Sequence, residues 1–421
     1  MKKEPAAGSG FSGKLQPQAW MVAPETRKIM QALTENGGDA RFVGGCVRNA
    51  LANRKVLDID IATPLLPEQV IERLKHCKIS HAPIGLKHGT VTAIVDGHPF
   101  EITTLRLDVV TFGRHADVKF TDDWKTDASR RDFTINAIFA TADGDIYDPF
   151  GGVEDLRCGL VRFVGEPEKR IHEDVLRILR FFRFYAHFGQ GEPDAAALQA
   201  CAAAAGEIKK LSAERIRKEV MKLLEANACP AVWKLMLHSG VATHFLPEAT
   251  NIQALENMVQ LENLYECPAF ALRRLAALLE VTVNGLSNIV QGLKLPNVQA
   301  AQLASMINPD LGVSMRMGEN AVRKLVYRLG NDMARNVLLL EAARTGDKDS
   351  LQPLYHVATS FRAPLFPLRG DDVLTIGANP GPEVGRILGL VEDWWLGENF
   401  RPDRAACLRK LLTKFHPGSI T

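Results

Sequence analysis

The sequence predicts an N-terminal α/β head, a small mixed sheet with flanking helices, followed by an all-helical neck, body and tail. Three observations carry this. Val56–Ala62 alternates apolar and acidic residues, the period of a half-buried strand. Two strand-like runs flank Asp96-Gly97, a pair suited to the positive φ of a tight hairpin turn. From about Leu160 onward the pattern becomes helical, rich in Ala, Leu, Arg and Glu, with few strand signals.

The head reads in order. Pro24–Asn36 has helical spacing, and Arg41–Val43 is a short apolar strand ending at Gly44-Gly45. A helix is expected from Val47, the alternating strand over 56–62, and a helix over Pro67–Cys77. Thr90–Val95 and His98–Leu105 form the hairpin. Beyond it, helices are expected over Val175–Tyr185, Ala195–Ala204, Ala213–Glu225, Ala271–Glu280, Glu319–Gly330, Ala334–Ala343 and Val384–Trp395, punctuated by Gly, Pro and Asn. The expected division is a flexible tail over 1–24, a head over 25–160, a helical neck over 161–225, a helical body over 226–360 and a helical tail over 361–421.

Composition narrows the class. The chain has 421 residues, 46% hydrophobic and 24% charged, with a net charge of +2. That is ordinary for a globular protein and long enough for more than one domain. No apolar run reaches the roughly 20 residues of a membrane span, and Met1–Gln18 lacks a hydrophobic signal core. None of the seven cysteines lies at CxxC spacing, which points to free thiols in a reducing cytoplasm rather than a zinc site. The near-neutral charge argues weakly against an RNA partner. It is an average, however, over acids gathered in the head and basic residues such as Lys209, Lys210, Arg217, Lys218 and Lys222.

Chemistry concentrates in the head. Gly44 and Gly45 after a strand let backbone approach a phosphate, and Arg48 lies within the first turn that follows. Asp58 and Asp60, at i and i+2 on the expected strand, point to one face. Two adjacent carboxylates repel unless a hard cation such as Mg²⁺ sits between them. Each feature has a plain alternative: a tight turn for the glycines, a solvated edge for the acids. Glu101, between Phe100 and Ile102, faces either solvent or the same site.

These pieces join Ser129–Ala137 (Ser-Arg-Arg-Asp-Phe-Thr-Ile-Asn-Ala), Asp148-Pro-Phe-Gly-Gly and Glu173-Asp-x-x-Arg in one order. As a set, over about residues 40–225, the chain resembles the class II tRNA nucleotidyltransferases, the group of bacterial CCA-adding enzymes and poly(A) polymerases. A stretch from Pro367 to Trp394 resembles a C-terminal segment of many members. The resemblance implies two-metal nucleotidyl transfer with Mg²⁺ held by Asp58 and Asp60, and Glu101 as third catalytic carboxylate. It places Gly44, Gly45, Arg48 and Arg131 at the nucleotide, and makes 148–156 a lever between head and neck. Asn49 stands where the family usually has Asp.

The resemblance also makes Asp174, Arg177, Arg180 and Arg183 the nucleotide-reading set. Read alone, Asp174 and Arg177 are i, i+3 neighbours on a helix, which also describes a surface ion-pair ladder. As a reader they make chemical sense. Cytosine and adenine both present an amino donor beside a ring-nitrogen acceptor, which a carboxylate and a guanidinium satisfy together. Glu214 and Arg215 would help hold this helix, while His172 and the aromatics Phe181, Phe182, Phe184 and Tyr185 read as structural. The implied activity is addition of CCA to tRNA 3′ ends from CTP and ATP. The alternatives are a poly(A) polymerase, a CC- or A-adding specialist, and a decayed RNA-binding scaffold. The polar connection Leu107–Ala128 retains the loop that CC-adding enzymes lack. The sequence sets no oligomeric state and points to no membrane partner.

Overall fold

The computed structural model describes residues 11–82, 85–112, 115–281, 283–309 and 311–414. The chain divides into two compact units, one ending at Pro247 and one beginning at Glu248.

The first unit contains ten described strands: β1 (Phe11–Lys14), β2 (Arg41–Val43), β3 (Asp60–Thr63), β4 (Ser80–Ala82), β5 (Thr90–Val95), β6 (His98–Thr104), β7 (Arg106–Phe112), β8 (His115–Phe120), β9 (Phe139–Ala140) and β10 (Asp145–Tyr147). Its described helices are α1 (Ala19–Val22), α2 (Pro24–Thr34), α3 (Gly45–Leu51), α4 (Pro67–His76), α5 (Trp124–Ser129), α6 (Gly152–Cys158), α7 (Pro167–Glu173), α8 (Leu176–Phe188), α9 (Ala195–Ala203), α10 (Ala213–Leu224) and α11 (Cys229–His238). Eight strands form one sheet in the order β1-β10-β9-β2-β3-β6-β5-β4. The β3–β6 pair is parallel and the other pairs are antiparallel. This is the expected mixed sheet. Its core packs Ile29 and Leu33 of α2 and Val70 and Leu74 of α4 with Phe42, Ile61, Phe100 and Ile102 from the central strands. The β5–β6 hairpin turns as expected through Asp96 and Gly97, with φ values of 50° and 80°.

Three expectations need correction. Residues 11–24 are not a loose tail: β1 pairs with β10, Leu15 and Met21 are buried, and Trp20 meets Phe42 edge-on at 4.8 Å. Those apolar side chains recover enough burial to hold a polar stretch down. The expected residues 1–10 of the tail lie outside the described residues. Second, the strand expected over 56–62 starts only at Asp60. The β3–β6 register begins at Asp60 and Glu101, and two residues before Glu101 stands Pro99, which has no N–H to extend the ladder. Third, Leu107–Ala128 is not a plain connection. It forms most of the two-stranded β7–β8 ribbon and then α5; Gly113 and Arg114 lie outside the described residues.

The second unit is helical apart from an isolated bridge between Ala249 and Leu279. Its described helices are α12 (Ile252–Leu264), α13 (Ala271–Leu278), α14 (Val283–Gly292), α15 (Asn297–Ile307), α16 (Glu319–Leu329), α17 (Asn331–Thr345), α18 (Leu351–Ser360), α19 (Gly370–Thr375), α20 (Pro382–Gly397) and α21 (Arg404–Lys414). The expected helices over 271–280, 319–330, 334–343 and 384–395 fall on α13, α16, α17 and α20. Among the described residues no helix is long and apolar enough to cross a membrane. All seven cysteines are free thiols.

Candidate functional site

Two short backbone devices open the site. Gly44 leaves β2 with φ 67° and ψ −118°, a conformation that disfavours a side chain. A Cβ there would also meet an Arg131 nitrogen at 3.4 Å and the Asn136 carbonyl at 3.5 Å. Those contacts are ordinary, so the backbone conformation rather than lack of room favours glycine at 44. Arg48, in α3, is held by three amide contacts. Its Nη1 donates to Asn136 Oδ1 at 2.5 Å, and its Nε and Nη2 donate to Asn49 Oδ1 at 3.2 and 2.9 Å. Asn49 thus anchors Arg48 through its side-chain oxygen. Burial, then the nearby Arg183, lowers the Arg48 guanidinium to about 10.

A cavity of about 600 Å³ opens against these residues. Of the eleven residues proposed from sequence, nine line it: Gly44, Gly45, Arg48, Asp60, Arg131, Asp174, Arg177, Arg180 and Arg183. Asp58 and Glu101 do not. Sequence reasoning assigned no part in the cavity to Asp132, Asn136, Leu176, Phe184 or Lys222, which also line it. Asp132 and Asn136 stand inside the quoted motif, so their signal was present. Lys222 carried only a helical pattern.

At the acidic edge, Asp60 is half-buried at the start of β3 and level with Glu101 on the parallel neighbour β6, so both side chains emerge on one face. Glu101 is exposed there. Asp58 is exposed in the segment before β3 rather than on the strand. Burial raises Asp60 to about 6; Glu101 and Asp58 add to the rise, and Arg131 opposes it. No three His, Cys, Asp or Glu among the described residues form a closed metal cage. A partial carboxylate set fits Mg²⁺, which keeps waters and binds through one or two carboxylates plus substrate phosphates. A carboxyl pushed towards its neutral form by burial and by neighbouring carboxylates is a group that a cation would satisfy.

The opposite wall comes from α7, α8 and α10. The stretch 173–183 is not one helix, as expected for the Asp174–Arg177 pair. Asp174 has φ −153° and ψ 106°, which ends α7, and its Oδ1 accepts from the Leu176 N–H at 3.1 Å to start α8. The short polar side chain of Asp competes for backbone N–H groups and favours such a break over a helix interior. Asp174 and Arg177 still meet across the turn, with the Arg177 N–H donating to the Asp174 carbonyl at 3.0 Å. The carboxylate partner of Asp174 is Arg215 of α10, whose Nη2 donates to its Oδ2 at 2.7 Å. Arg177 instead donates to Glu173, to the Arg170 carbonyl at 2.9 Å and to the Arg130 carbonyl at 3.2 Å.

The remaining arginines are each braced from behind. Arg180 Nε donates to Asp132 at 2.6 Å, Arg183 Nε to Glu219 of α10 at 2.5 Å, and Arg131 Nη2 to Asp127 of α5 at 3.0 Å. Burial acts to raise Asp132, but Arg180 and the Asn136 amide outweigh it and hold the carboxyl below its ordinary range. Buried Phe184 supplies a shared aromatic face, with the Arg183, Arg48 and Arg180 guanidinium carbons at 4.1, 5.0 and 5.3 Å from its centre. Phe181 and Phe182 are fully buried, as expected of packing residues.

Asp60, at the margin of the carboxylate edge, and a braced arginine wall thus face one cavity, an arrangement suited to a polyanionic nucleotide with a bound cation. Residues 40–162 match the family model described as the poly A polymerase head domain. Residues 192–253 match the one described as a probable RNA and SrmB-binding site of polymerase A. The chain is 32% identical to the mitochondrial CCA tRNA nucleotidyltransferase 1 of Danio rerio, over 91% of this chain and 89% of that protein. It is 31% identical to the CCA-adding enzyme of Limosilactobacillus fermentum, over 86% of this chain and 90% of that one. The crystal structure of the Bacillus stearothermophilus CCA-adding enzyme in complex with CTP superposes with a TM-score of 0.74 at 28% identity, covering 93% of this chain and 98% of that one. The chain belongs to the CCA tRNA nucleotidyltransferase and poly(A) polymerase family, as its motifs indicated.

Proposed function

We propose that the protein adds CCA to the 3′ end of tRNA from CTP and ATP without a nucleic-acid template. The observation that carries this reading is the single cavity that joins Asp60 to Asp174 and Arg177. Asp58 and Asp60 would hold Mg²⁺, with Glu101 as the third carboxylate. Bound there, Mg²⁺ would activate the primer hydroxyl and neutralise charge on the leaving pyrophosphate. Arg48 and Arg131 hold the triphosphate, and the Gly44 turn stands beside Arg131.

Base choice falls to Asp174 and Arg177, supported by donor arithmetic. A carboxylate offers about four acceptor sites, and Asp174 spends two on Leu176 and Arg215. A guanidinium has five N–H donors, and Arg177 spends three, on Glu173 and the two carbonyls. The remainder suits an amino donor beside a ring acceptor, the pattern shared by cytosine and adenine. Uracil and guanine present the reverse and would leave these groups unpaired. Arg180 and Arg183 lie along base, sugar or phosphates.

The neck carries the nucleotide-reading residues. The helical body and the tail from about 361 would engage tRNA by shape and phosphate contacts. A cytoplasmic setting completes the reading and is tested by imaging the tagged protein. The decisive assay combines the protein, Mg²⁺, CTP, ATP and a tRNA ending at its discriminator base, with products sized and sequenced. Arrest after CCA supports the proposal. Long A tracts would make the protein a poly(A) polymerase, and arrest at CC or addition of A alone would make it a specialist.

A further inference from the structure

Six arginines and Lys222 line the cavity, and their charge is not evenly compensated. Five arginines each meet a carboxylate of this chain: Arg131 with Asp127, Arg177 with Glu173, Arg180 with Asp132, Arg183 with Glu219 and Arg215 with Asp174. Arg48 meets only the amide oxygens of Asn49 and Asn136. Lys222 has no carboxylate within ion-pairing distance among the described residues. Arg215, Glu219 and Lys222 stand at i, i+4 and i+7, on one face of α10. The first two of these reach Asp174 and Arg183, so this is the face turned to the cavity. The backbone at Lys222 is fixed as well. His187 of α8 donates from Nε2 to the Lys222 carbonyl at 2.7 Å, and burial keeps that imidazole towards its neutral form.

We propose that Lys222 is a phosphate-binding residue of this site. With Arg48 it supplies the cavity's uncompensated positive charge, and its exposed, flexible ammonium takes a phosphate oxyanion of a substrate. The five braced arginines then serve mainly as fixed donors, because each is already held by a carboxylate of the fold. The inference rests on the nucleotide-transfer reading. Two sources offer the same chemistry: the triphosphate of CTP or ATP, and the phosphodiester chain near the tRNA 3′ end.

The test uses the full chain as wild type, Lys222→Ala, Lys222→Arg and, as a control, Lys209→Ala, which removes an exposed charge outside the cavity. KM is measured for CTP at saturating tRNA and for tRNA at saturating CTP, and CTP binding is measured separately at equilibrium without tRNA. Lys222→Ala is expected to raise one KM about tenfold, the scale of one charge-assisted contact. It should leave kcat within about threefold, and Lys222→Arg should recover most of the loss. A shift in CTP KM together with weaker CTP binding assigns the triphosphate; a shift in tRNA KM assigns the RNA backbone. Unchanged KM values for both substrates would overturn the proposal. So would an equal loss in Lys222→Arg, which would mean shape rather than charge, or an equal CTP shift in Lys209→Ala. If the wild type transfers no nucleotide, the functional reading fails by itself, and equilibrium CTP binding still decides the role of Lys222.

Discussion

Arg130-Arg131 in the first unit and Arg273-Arg274 in the second are the same dipeptide, and each meets one buried carboxylate. Asp127 and Glu262 are both 1% exposed. Asp127 takes Arg130 Nε at 2.8 Å and Arg131 Nη2 at 3.0 Å. Glu262 takes Arg273 Nη2 at 2.6 Å and Arg274 Nε at 2.6 Å, joining α12 to α13. The difference lies on the far side of the arginines. Arg273 spends further donors on Asn336 and the Pro268 carbonyl, so that little of its donor set is left where it borders a separate cavity, and both side chains are almost fully buried. Arg131 is braced at one edge and turns the other to the cavity beside Gly44. A buried ion pair by itself is an anchor. It becomes part of a site when the braced guanidinium keeps donors facing open volume.

The largest expected effect comes from a carboxylate that no side chain among the described residues braces. Asp60 is half-buried beside Glu101 and near Asp58, and its charge is opposed rather than satisfied. Asp60→Ala should cut single-turnover transfer by at least about 10³-fold. Chelating divalent metal from the wild type should do the same, with Mg²⁺ restoring activity. The thermal midpoint of Asp60→Ala should hold or rise, since a repelled carboxylate is removed. A clear fall in stability would mean that Asp60 is an anchor like Glu262.

Glu262→Ala should behave in the opposite way. It removes the carboxylate that two buried guanidiniums share and should cost about 3–5 kcal/mol in denaturant unfolding. The folded fraction should retain wild-type choice among nucleotides. Altered selectivity there would erase the distinction between the two arginine pairs.

Smaller again is the effect at Asp174 and Arg177, which are both anchor and reader. Asp174→Ala and Arg177→Ala should each lose roughly 10²-fold of the preference for CTP and ATP over UTP and GTP. The loss should be read from kcat/KM ratios with each nucleotide in turn. Unchanged selectivity in both variants would return these residues to the class of Arg273 and Arg274.

What the sequence made legible follows the same division. Elements with a local signal stand where expected, such as the Asp96-Gly97 hairpin and the helices with apolar periodicity. Strands β9 and β10, two and three residues long, have no such signal, and only their sheet partners define them. Asp58 was misplaced because alternation continues through Leu57, which is 75% exposed, and only Pro99, on the neighbouring β6, ends the strand. Most of the cavity wall was legible as motif residues. Their braces were legible only in part: the resemblance marked Arg215 as a holder of the reading helix, but not its pairing with Asp174 across 41 residues, and nothing marked Glu219 for Arg183 across 36. Which acid pairs with which arginine is set by how α8 packs on α10, and spacing carries no record of that.

The smallest expected effect concerns Asn49. Its Oδ1 is one of the two amide oxygens that hold Arg48. Asn49→Asp keeps that acceptor and adds a charge, which converts Arg48 from uncompensated to braced. Arg48 would then resemble the five paired arginines, and the cavity would lose part of its free positive potential. Geometry is retained, so kcat should stay within about twofold. KM for CTP should rise by about two- to threefold at low salt, with the difference shrinking as salt screens the added charge. Asn49→Ala removes the acceptor and separates the two contributions, because it loosens Arg48 without neutralising it. If Asn49→Asp and Asn49→Ala changed KM equally, position would be what matters at Arg48, and its lack of a carboxylate partner would have no consequence for nucleotide binding.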